Sequence, residues 1–356
     1  MDNNKISSFL FANSDDSQKR FGIRQNENVY SKDSAPAKDV FQKRMARLYH
    51  CDNIICSYTF LILDLMIVAL ASGNEKIAVH RNCFPALWKT LRYVSELHSI
   101  KITEFTDLPS LEDALKSGVK AVFSSSACVE CNCPPVAQTA DMAHSYHVPV
   151  IIDNTVTTPC IVNPLRCGAD LVLQFSDMIS ALKTKNSYLT VLDNNHFDWS
   201  YQNKYIRIFP FLKYASPFRA YLNFKCKKTA PVLTKENQSE FFMLCEGLKS
   251  LDSRMHIHSD NCKTVMKILE KYAVHLTAQT FENGNAMFVK TEIKQEFSAS
   301  LQSALRNITA KNIEQLYEMY SCTSVFFEKN TLYVQCGTEP ETYLQQFFTS
   351  VQGLCP

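Results

Sequence analysis

The chain has 356 residues, of which 46% are hydrophobic, so it is long enough to bury a large core and to form two packed domains. Its formal net charge of +2 gives no electrostatic case for a nucleic-acid partner or an anionic membrane surface. The fourteen cysteines are irregularly spaced and no signal peptide is recognisable, which predicts reduced thiols in a cytoplasmic protein.

The first predicted elements are a polar N-terminal arm, residues 1–28, and two helices. The first helix has apolar residues at helical spacing that are expected to share one face. These residues are Val40, Phe41, Met45 and Leu48. The longest apolar stretch, residues 54–71, is interrupted by Asp64 and followed by Gly73, which favours a buried core helix over a membrane span.

Four short apolar runs are predicted to form strands of a buried, largely parallel sheet. They are residues 77–80, 121–124, 148–152 and 169–174. Functional groups in such sheets cluster at the carboxyl ends of the strands. Asp153 directly follows the third run and is therefore a candidate functional residue.

Two groups of potential metal ligands do not complete a tetrahedral set. Cys128, Cys131 and Cys133 include a two-residue spacing that zinc sites use, but no second such pair follows. His256 and His258 lie two residues apart on a predicted helix, so they cannot share a face and are predicted to lie at the surface. We therefore predict no metal site.

The last hundred residues alternate between helix-like and strand-like segments. Strands are predicted at 286–290 and 332–336, and a closing helix at 341–351. With the N-terminal arm, this pattern predicts a large domain at residues 29–245 and a small C-terminal domain at residues 246–356.

The segment that begins at Asp153 contains the most specific motif of the sequence. Residues 153–170 read DNTVTTPCIVNPLRCGAD. This wording resembles the trans-sulfuration family of pyridoxal-phosphate (PLP) enzymes in cysteine and methionine metabolism. The resemblance implies the aspartate aminotransferase-like fold of type I PLP-dependent transferases, with a mostly parallel central sheet and a smaller α/β C-terminal domain. It also implies that Asp153 pairs with the pyridine nitrogen of PLP.

Two later segments resemble one branch of that family, the O-acetylhomoserine sulfhydrylases. Residues 196–199 read HFDW and precede an aromatic insertion, as in that branch. Residues 246–255 read EGLKSLDSRM and are similar to its QGLETLxxRM segment.

The family's Schiff-base lysine follows the aspartate of its GAD motif by eight residues. An ungapped count from Asp170 places Met178 there, and a thioether cannot form the covalent link to PLP. The alternative amine is Lys183, in the segment SALK, which a five-residue shift would bring into the motif. That shift needs an insertion and a compensating deletion within a compact loop.

The resemblance assigns four more residues to the site. Tyr30 and Lys32 stand where the family has a tyrosine and an arginine that reach the cofactor phosphate of the neighbouring subunit. Phe84 stands where a ring stacks on the pyridine. Tyr333 aligns with the arginine that clamps the substrate carboxylate, but it has one hydroxyl and no charge.

Several glycines of the family's cofactor site are replaced. Pro85 and Ala86 stand at two of them, and Phe60 stands in the phosphate-binding turn, which falls on residues 59–61. A side chain at position 60 would lie where the phosphate binds, so a packed core helix is predicted there instead.

These observations predict a divergent member of the family that lacks Schiff-base catalysis. The alternative is an active PLP-dependent O-acetylhomoserine sulfhydrylase or gamma-lyase that uses Lys183. A third possibility is a protein that binds PLP reversibly in a pocket framed by Asp153, Phe84 and Tyr30. The resemblance implies a homodimer or tetramer, or a hetero-oligomer with an active paralogue, and neither a nucleic acid nor a membrane is expected as a partner.

Overall fold

The computed structural model describes residues 36–180, 186–229, 235–317 and 323–340, together with residues 342 and 344. Tyr30, Lys32 and Lys183 lie outside this part of the chain, as do the predicted N-terminal arm and most of the predicted closing helix.

The helices and strands alternate through most of the described chain. The α-helices are α1 (Ala37–Tyr49), α2 (Thr59–Leu70), α3 (Pro85–Leu97), α4 (Leu108–Lys116), α5 (Val136–Ser145), α6 (Thr158–Ile161), α7 (Ser176–Ile179), α8 (Pro217–Thr229), α9 (Lys235–Gly247), α10 (Leu251–Leu269), α11 (Gln295–Leu305) and α12 (Ile313–Leu316). The strands are β1 (Asn53–Tyr58), β2 (Lys76–His80), β3 (Lys101–Phe105), β4 (Val122–Ser125), β5 (Val150–Asp153), β6 (Leu171–Phe175), β7 (Tyr188–Asp193), β8 (Ala273–Thr280), β9 (Ala286–Ile293), β10 (Ser324–Glu328) and β11 (Thr331–Gln335).

The strands form two sheets. The large sheet has the order β1-β7-β6-β5-β4-β2-β3, in which β2 to β6 are parallel to one another and β7 is antiparallel to both neighbours. The small sheet, β10-β11-β9-β8, is antiparallel. This arrangement confirms an α/β fold with a mostly parallel central sheet and a smaller C-terminal sheet. The division of the chain at residues 28/29 and 245/246 remains a prediction.

The predicted strands are present. The four runs assigned to the large sheet form β2, β4, β5 and β6, with ends displaced by one or two residues. Every residue of β4, β5 and β6 is buried, because parallel strands in the middle of a sheet are covered on both faces. The runs predicted near the C-terminus form β9 and β11.

The prediction of one helix across residues 54–71 is wrong in its first part. Residues 53–58 form β1, which pairs with β7, and α2 begins at Thr59. No glycine or proline separates the strand from the helix, so the sequence gives no punctuation at this change of structure. No helix in the described residues is both long and apolar enough to cross a membrane.

The buried face of α1 differs from the predicted one. Its buried residues, Ala37, Phe41, Met45 and Tyr49, follow a strict spacing of four. Leu48 is 37% exposed, because it lies one position away from this stripe. Phe41 contacts Phe241 of α9, with ring centroids 5.8 Å apart.

The aromatic insertion, residues 200–218, covers the amino-terminal edge of the large sheet. The hydroxyl of Tyr205 donates to the carbonyl of Lys120, which lies just before β4, at 2.9 Å. Tyr201 stacks on His147, just before β5, with centroids 3.7 Å apart. The insertion therefore closes the side of the sheet opposite to Asp153.

The corrected face of α1 predicts unequal costs for two substitutions. Met45→Ala removes a fully buried side chain and is expected to lower the free energy of unfolding by about 2–5 kcal/mol. Leu48→Ala is expected to cost less than about 1 kcal/mol. Urea unfolding of both variants measures the difference, and equal losses would contradict the observed helix face.

Candidate active site

The candidate site lies at the carboxyl edge of the large sheet. Strands β2, β4, β5 and β6 are parallel and end there at His80, Ser125, Asp153 and Phe175. β1 points in the same direction, because β1 and β6 are both antiparallel to β7. Side chains that follow these strands therefore meet at one edge.

Asp153 is buried, with 2% of its surface exposed. Its Oδ1 accepts hydrogen bonds from the backbone N–H of Thr155 at 2.8 Å and from the Thr155 hydroxyl at 2.5 Å. The same hydroxyl oxygen accepts from the N–H of Phe175 at 3.1 Å, so Thr155 links the ends of β5 and β6. Oδ2 of Asp153 is buried and has no hydrogen-bond partner among the described residues.

Burial raises the pKa of Asp153 from 3.8 to about 7. The hydrogen bonds from Thr155 act in the opposite direction, and the nearby charge of Asp177 adds to the effect of burial. A buried carboxyl oxygen without a partner is costly and is a marker of functional sites. It is suited to accept a hydrogen bond from an N–H group of a ligand.

A buried polar network supports the turn that follows Asp153. Asn154 donates to the Tyr49 hydroxyl at 3.0 Å and accepts from the Thr157 hydroxyl at 2.5 Å. The Tyr49 hydroxyl donates to Gln174 at 2.7 Å, which ties α1 to β6. Because these side chains satisfy one another, the turn is held in one position beneath the site.

Phe84 lies at the same edge and is 6% exposed. Its ring packs edge to face against Phe175, at 5.3 Å between centroids, and against Tyr317, at 5.5 Å. Its backbone N–H donates to the Ser125 hydroxyl at 3.3 Å. Pro85, which the resemblance aligns with a glycine of the family, is the first residue of α3, where proline costs no hydrogen bond.

Met178 lies in α7, the short helix that directly follows β6, and its side chain is buried at 1% exposure. Arg254 of α10 donates to the carbonyl of Met178 at 3.0 Å and to that of Ile179 at 3.1 Å. The same guanidinium donates to the carbonyl of Gly247 at 3.1 Å. Arg254 therefore fixes the backbone at residue 178, a role that the sequence alone did not indicate.

Tyr333 is placed on β11, opposite Lys290 of β9. The Lys290 ammonium lies 5.3 Å from the centroid of the Tyr333 ring and 2.5 Å from Oε2 of Glu130, which follows β4. A cation therefore lies beside the position that the resemblance aligns with the family's arginine. Sequence reasoning missed Lys290, because only the pairing of β9 with β11 brings it next to Tyr333.

The first turn of α2 begins at the carboxyl end of β1 and therefore lies at this edge of the sheet, where the N–H of Thr59 donates to the carbonyl of Ser187 at 3.1 Å. The predicted helix at residues 59–61 is confirmed. Phe60, however, is 48% exposed and packs on Tyr93 at 5.5 Å between centroids, outside the core.

The potential metal ligands of the sequence have other partners. Within the described part of the chain, no three histidine, cysteine or acidic side chains are arranged to hold a metal ion. The prediction of a surface position is wrong for His258, which is 1% exposed and lies with its Nδ1 2.7 Å from the Cys336 carbonyl. It is buried because α10 packs against the small sheet. His256 is exposed, as predicted.

Comparison with known families agrees with this geometry. A mostly parallel sheet with a buried carboxylate at its carboxyl edge defines an α/β protein built to hold a ligand at that edge. The family model for Cys/Met metabolism PLP-dependent enzymes matches residues 4–277. The chain belongs to this family, and pyridoxal phosphate is the cofactor of the family.

Two relatives show how far this sequence has diverged from named proteins that it resembles. The homocysteine synthase of Schizosaccharomyces pombe is 26% identical over 290 residues, which cover 74% of this chain and 65% of that protein. The O-acetyl-L-homoserine sulfhydrylase of Leptospira meyeri is 22% identical over 289 residues, which cover 75% and 65%. The matched region thus spans about two thirds of the length of these relatives.

Solved structures share the fold. The O-acetylhomoserine sulfhydrylase of Wolinella succinogenes has a TM-score of 0.70 at 14% identity, covering 89% of this chain and 96% of that chain. The cystathionine gamma synthase of Xanthomonas oryzae pv. oryzae has a TM-score of 0.66 at 14% identity, covering 92% and 89%. These likenesses confirm the predicted fold of type I PLP-dependent enzymes.

The Asp153 carboxyl suits the cofactor. Its buried Oδ2 would accept a hydrogen bond from the protonated pyridine nitrogen of PLP, and no described residue donates a hydrogen bond to that oxygen. Phe84 lies at the same edge, but its ring is packed between Phe175 and Tyr317.

The raised pKa of Asp153 predicts a pH dependence of stability for the protein without PLP. The pKa of Asp153 in the folded state, about 7, exceeds the usual 3.8. The contribution of the protonated carboxyl to the free energy of unfolding is therefore complete below pH 4 and is lost as the pH rises to about 7. Asp153→Asn is expected to remove about 2–4 kcal/mol of this pH dependence. Urea unfolding from pH 4 to 8 compares the variant with the wild type, and parallel curves would contradict the raised pKa.

Proposed function

We propose that this chain is a divergent member of the family that binds PLP at the carboxyl edge without a covalent link, and that it lacks Schiff-base catalysis. The observation that carries the proposal is the buried thioether of Met178 in α7, directly after β6. A thioether has no amine with which to bond PLP or to move a proton.

The chain between β6 and β7 supports the ungapped count on which this assignment depends. β6 ends at Phe175 and is followed by α7, and β7 begins at Tyr188. Position 178, where the count places the family's lysine, therefore lies beside the end of β6. In the sheet, β6 is the neighbour of β5, the strand that ends at Asp153. Arg254 holds the backbone there through the carbonyls of residues 178 and 179.

The buried carboxyl of Asp153 supports non-covalent binding of the cofactor. Its Oδ2 has no hydrogen-bond partner among the described residues and is suited to hold the pyridine nitrogen. When bound in an enzyme of this class, PLP supplies an electron sink for amino-acid substrates. Tyr30 and Lys32 are proposed phosphate contacts, as the resemblance implies.

The alternative function is that of an active O-acetylhomoserine sulfhydrylase or gamma-lyase with Lys183 as the amine. The name of the Leptospira meyeri relative, O-acetyl-L-homoserine sulfhydrylase, favours the sulfhydrylase over the gamma-lyase. Lys183 follows α7 by four residues, so this alternative requires its amine to lie at the edge where Asp153 lies.

A subunit partner is also proposed, either a second copy or an active paralogue. Phe60, Tyr93 and Leu97 are 48%, 58% and 59% exposed. Phe60 packs on Tyr93, and Leu97 lies one turn further along α3, so the three side chains form an apolar surface near the start of α2. The cytoplasmic location remains a prediction.

Borohydride reduction distinguishes the two functions. We expect the purified protein to bind PLP reversibly and to lose it on dialysis after borohydride treatment, because residue 178 provides no amine. Mass spectrometry of the tryptic peptides reports any covalent pyridoxyl label. A label on Lys183 would establish the alternative function and overturn the proposal.

Two variants serve as matched controls for that experiment. Met178→Lys places an amine at the counted position and is expected to acquire visible absorbance and a label on residue 178. Lys183→Met is expected to bind PLP as the wild type does. Loss of binding in Lys183→Met, or no label in a folded Met178→Lys variant, would contradict the assignment of residue 178.

A further inference from the structure

The formal net charge of +2 conceals an uneven distribution of charge. The aromatic insertion and α8 together, residues 200–229, contain seven lysines and arginines and no acidic residue. The whole chain has 37 basic and 35 acidic residues, so 30 basic and 35 acidic residues remain outside this segment, a formal net charge of −5. The expectation of no membrane partner rested on the sum over the whole chain, whereas a binding surface depends on the local charge.

Apolar side chains of this segment are exposed as well. Ile206 is 76% exposed and Phe209 is 53% exposed, whereas Tyr205 and Ile208 are buried. The N–H of Ile208 donates to the Tyr205 carbonyl at 2.9 Å, which makes this a helical turn. Residues three apart share one side of such a turn, so Tyr205 and Ile208 face the core and Ile206 and Phe209 face solvent.

Two exposed aromatic rings adjoin this turn. Tyr214 is 50% exposed and Phe224, on α8, is 44% exposed. Both rings contact that of Phe211, with centroids 6.2 Å and 5.6 Å apart. The apolar side chains of the insertion and of α8 therefore meet through Phe211 at the surface.

Lysines flank the exposed rings. The Lys213 ammonium lies 5.5 Å from the centroid of the Tyr214 ring, and the Lys228 ammonium lies 4.4 Å from that of Phe224. Both lysines are exposed, so their charges face the same solvent as the rings. We call these residues the basic apolar surface: Ile206, Phe209, Lys213, Tyr214, Phe224 and Lys228.

We infer that the basic apolar surface binds the headgroup region of an anionic lipid bilayer. Exposed apolar side chains flanked by basic ones bind at that boundary, because the apolar groups enter the acyl region while the ammonium groups stay beside the anionic headgroups. Lysines suit this arrangement, since their long stems reach from an apolar surface to the polar headgroups. The inference does not rest on the proposed function, because it uses no residue of the candidate active site.

Two other partners fit the surface less well. Ile206, its most exposed side chain, cannot stack on a base as the aromatic side chains of nucleic-acid-binding proteins do. The guanidinium groups of Arg207 and Arg219, which could bind phosphates in a two-pronged manner, instead donate to backbone carbonyls of residues 54, 68 and 71. A second copy of the chain would place the lysines against the same lysines, which repel one another.

Sedimentation of the full chain with lipid vesicles tests the inference. We expect the protein to bind vesicles of equal parts phosphatidylserine and phosphatidylcholine. Binding to pure phosphatidylcholine is expected to be at least about tenfold weaker, because each lysine near an anionic surface contributes about fivefold to the partition coefficient. Added salt is expected to weaken the binding. Equal binding to both kinds of vesicle, or none to either, would overturn the inference.

Matched pairs of variants locate the binding surface. Lys213→Glu/Lys228→Glu and Ile206→Ala/Phe209→Ala are each expected to weaken binding to the anionic vesicles at least about tenfold. The controls, Lys267→Glu/Lys271→Glu and Ile257→Ala/Val274→Ala, change exposed lysines and exposed apolar residues outside the surface. They are expected to bind within about twofold of the wild type, because distant charges are screened. Circular dichroism verifies that each variant is folded.

Three results would contradict the assignment of this surface. Vesicle binding that survives both pairs of substitutions would place the membrane contact elsewhere. Binding of a single-stranded oligonucleotide that only the charge variant loses, without binding to vesicles, would assign the surface to nucleic acid. A dimer in analytical ultracentrifugation that Ile206→Ala/Phe209→Ala dissociates, again without binding to vesicles, would assign it to a second copy of the chain.

Discussion

The carboxyl of Asp153, buried at the edge of the large sheet with one oxygen unpartnered among the described residues, is the constraint on which the site depends. Burial raises its pKa to about 7, so near neutral pH the fold holds a carboxyl group that costs free energy when ionised. Thr155 satisfies one oxygen and ties β5 to β6, and the network through Tyr49 and Asn154 keeps the turn in place. A cation-like N–H of a ligand offsets this cost, and the protonated pyridine nitrogen of PLP is such a group.

The proposed function requires that the site has lost features that covalent PLP chemistry needs. Position 178, the proposed counterpart of the family's lysine, holds a buried thioether, and position 333, the proposed counterpart of its arginine, holds a tyrosine. The backbone at residue 178 is held in place, because Arg254 donates hydrogen bonds to the carbonyls of residues 178 and 179. These bonds do not depend on the side chain at position 178, so the fold there is compatible with the proposed loss of the lysine.

Much of this architecture could be predicted from the sequence. Short apolar runs bounded by turn residues predicted β4, β5 and β6, and the position of Asp153 after a run placed it at the carboxyl edge. The boundary between β1 and α2 could not be predicted, because an apolar strand passes into an apolar helix without a break. Lys290 and Arg254 were also missed, since their partners are 43 and 76 residues away and depend on strand pairing and helix packing. His258 was misplaced because two-residue spacing alone does not reveal which side of α10 meets the small sheet.

Nuclear magnetic resonance of PLP labelled with ¹⁵N in the ring tests most directly whether Asp153 holds the cofactor. In the wild-type protein, the nitrogen is expected to keep the chemical shift of a protonated pyridine at a pH where free PLP has lost that proton. In Asp153→Ala, the shift of any bound PLP should return to the neutral value. A neutral nitrogen in the wild type, or identical shifts in both proteins, would contradict the account.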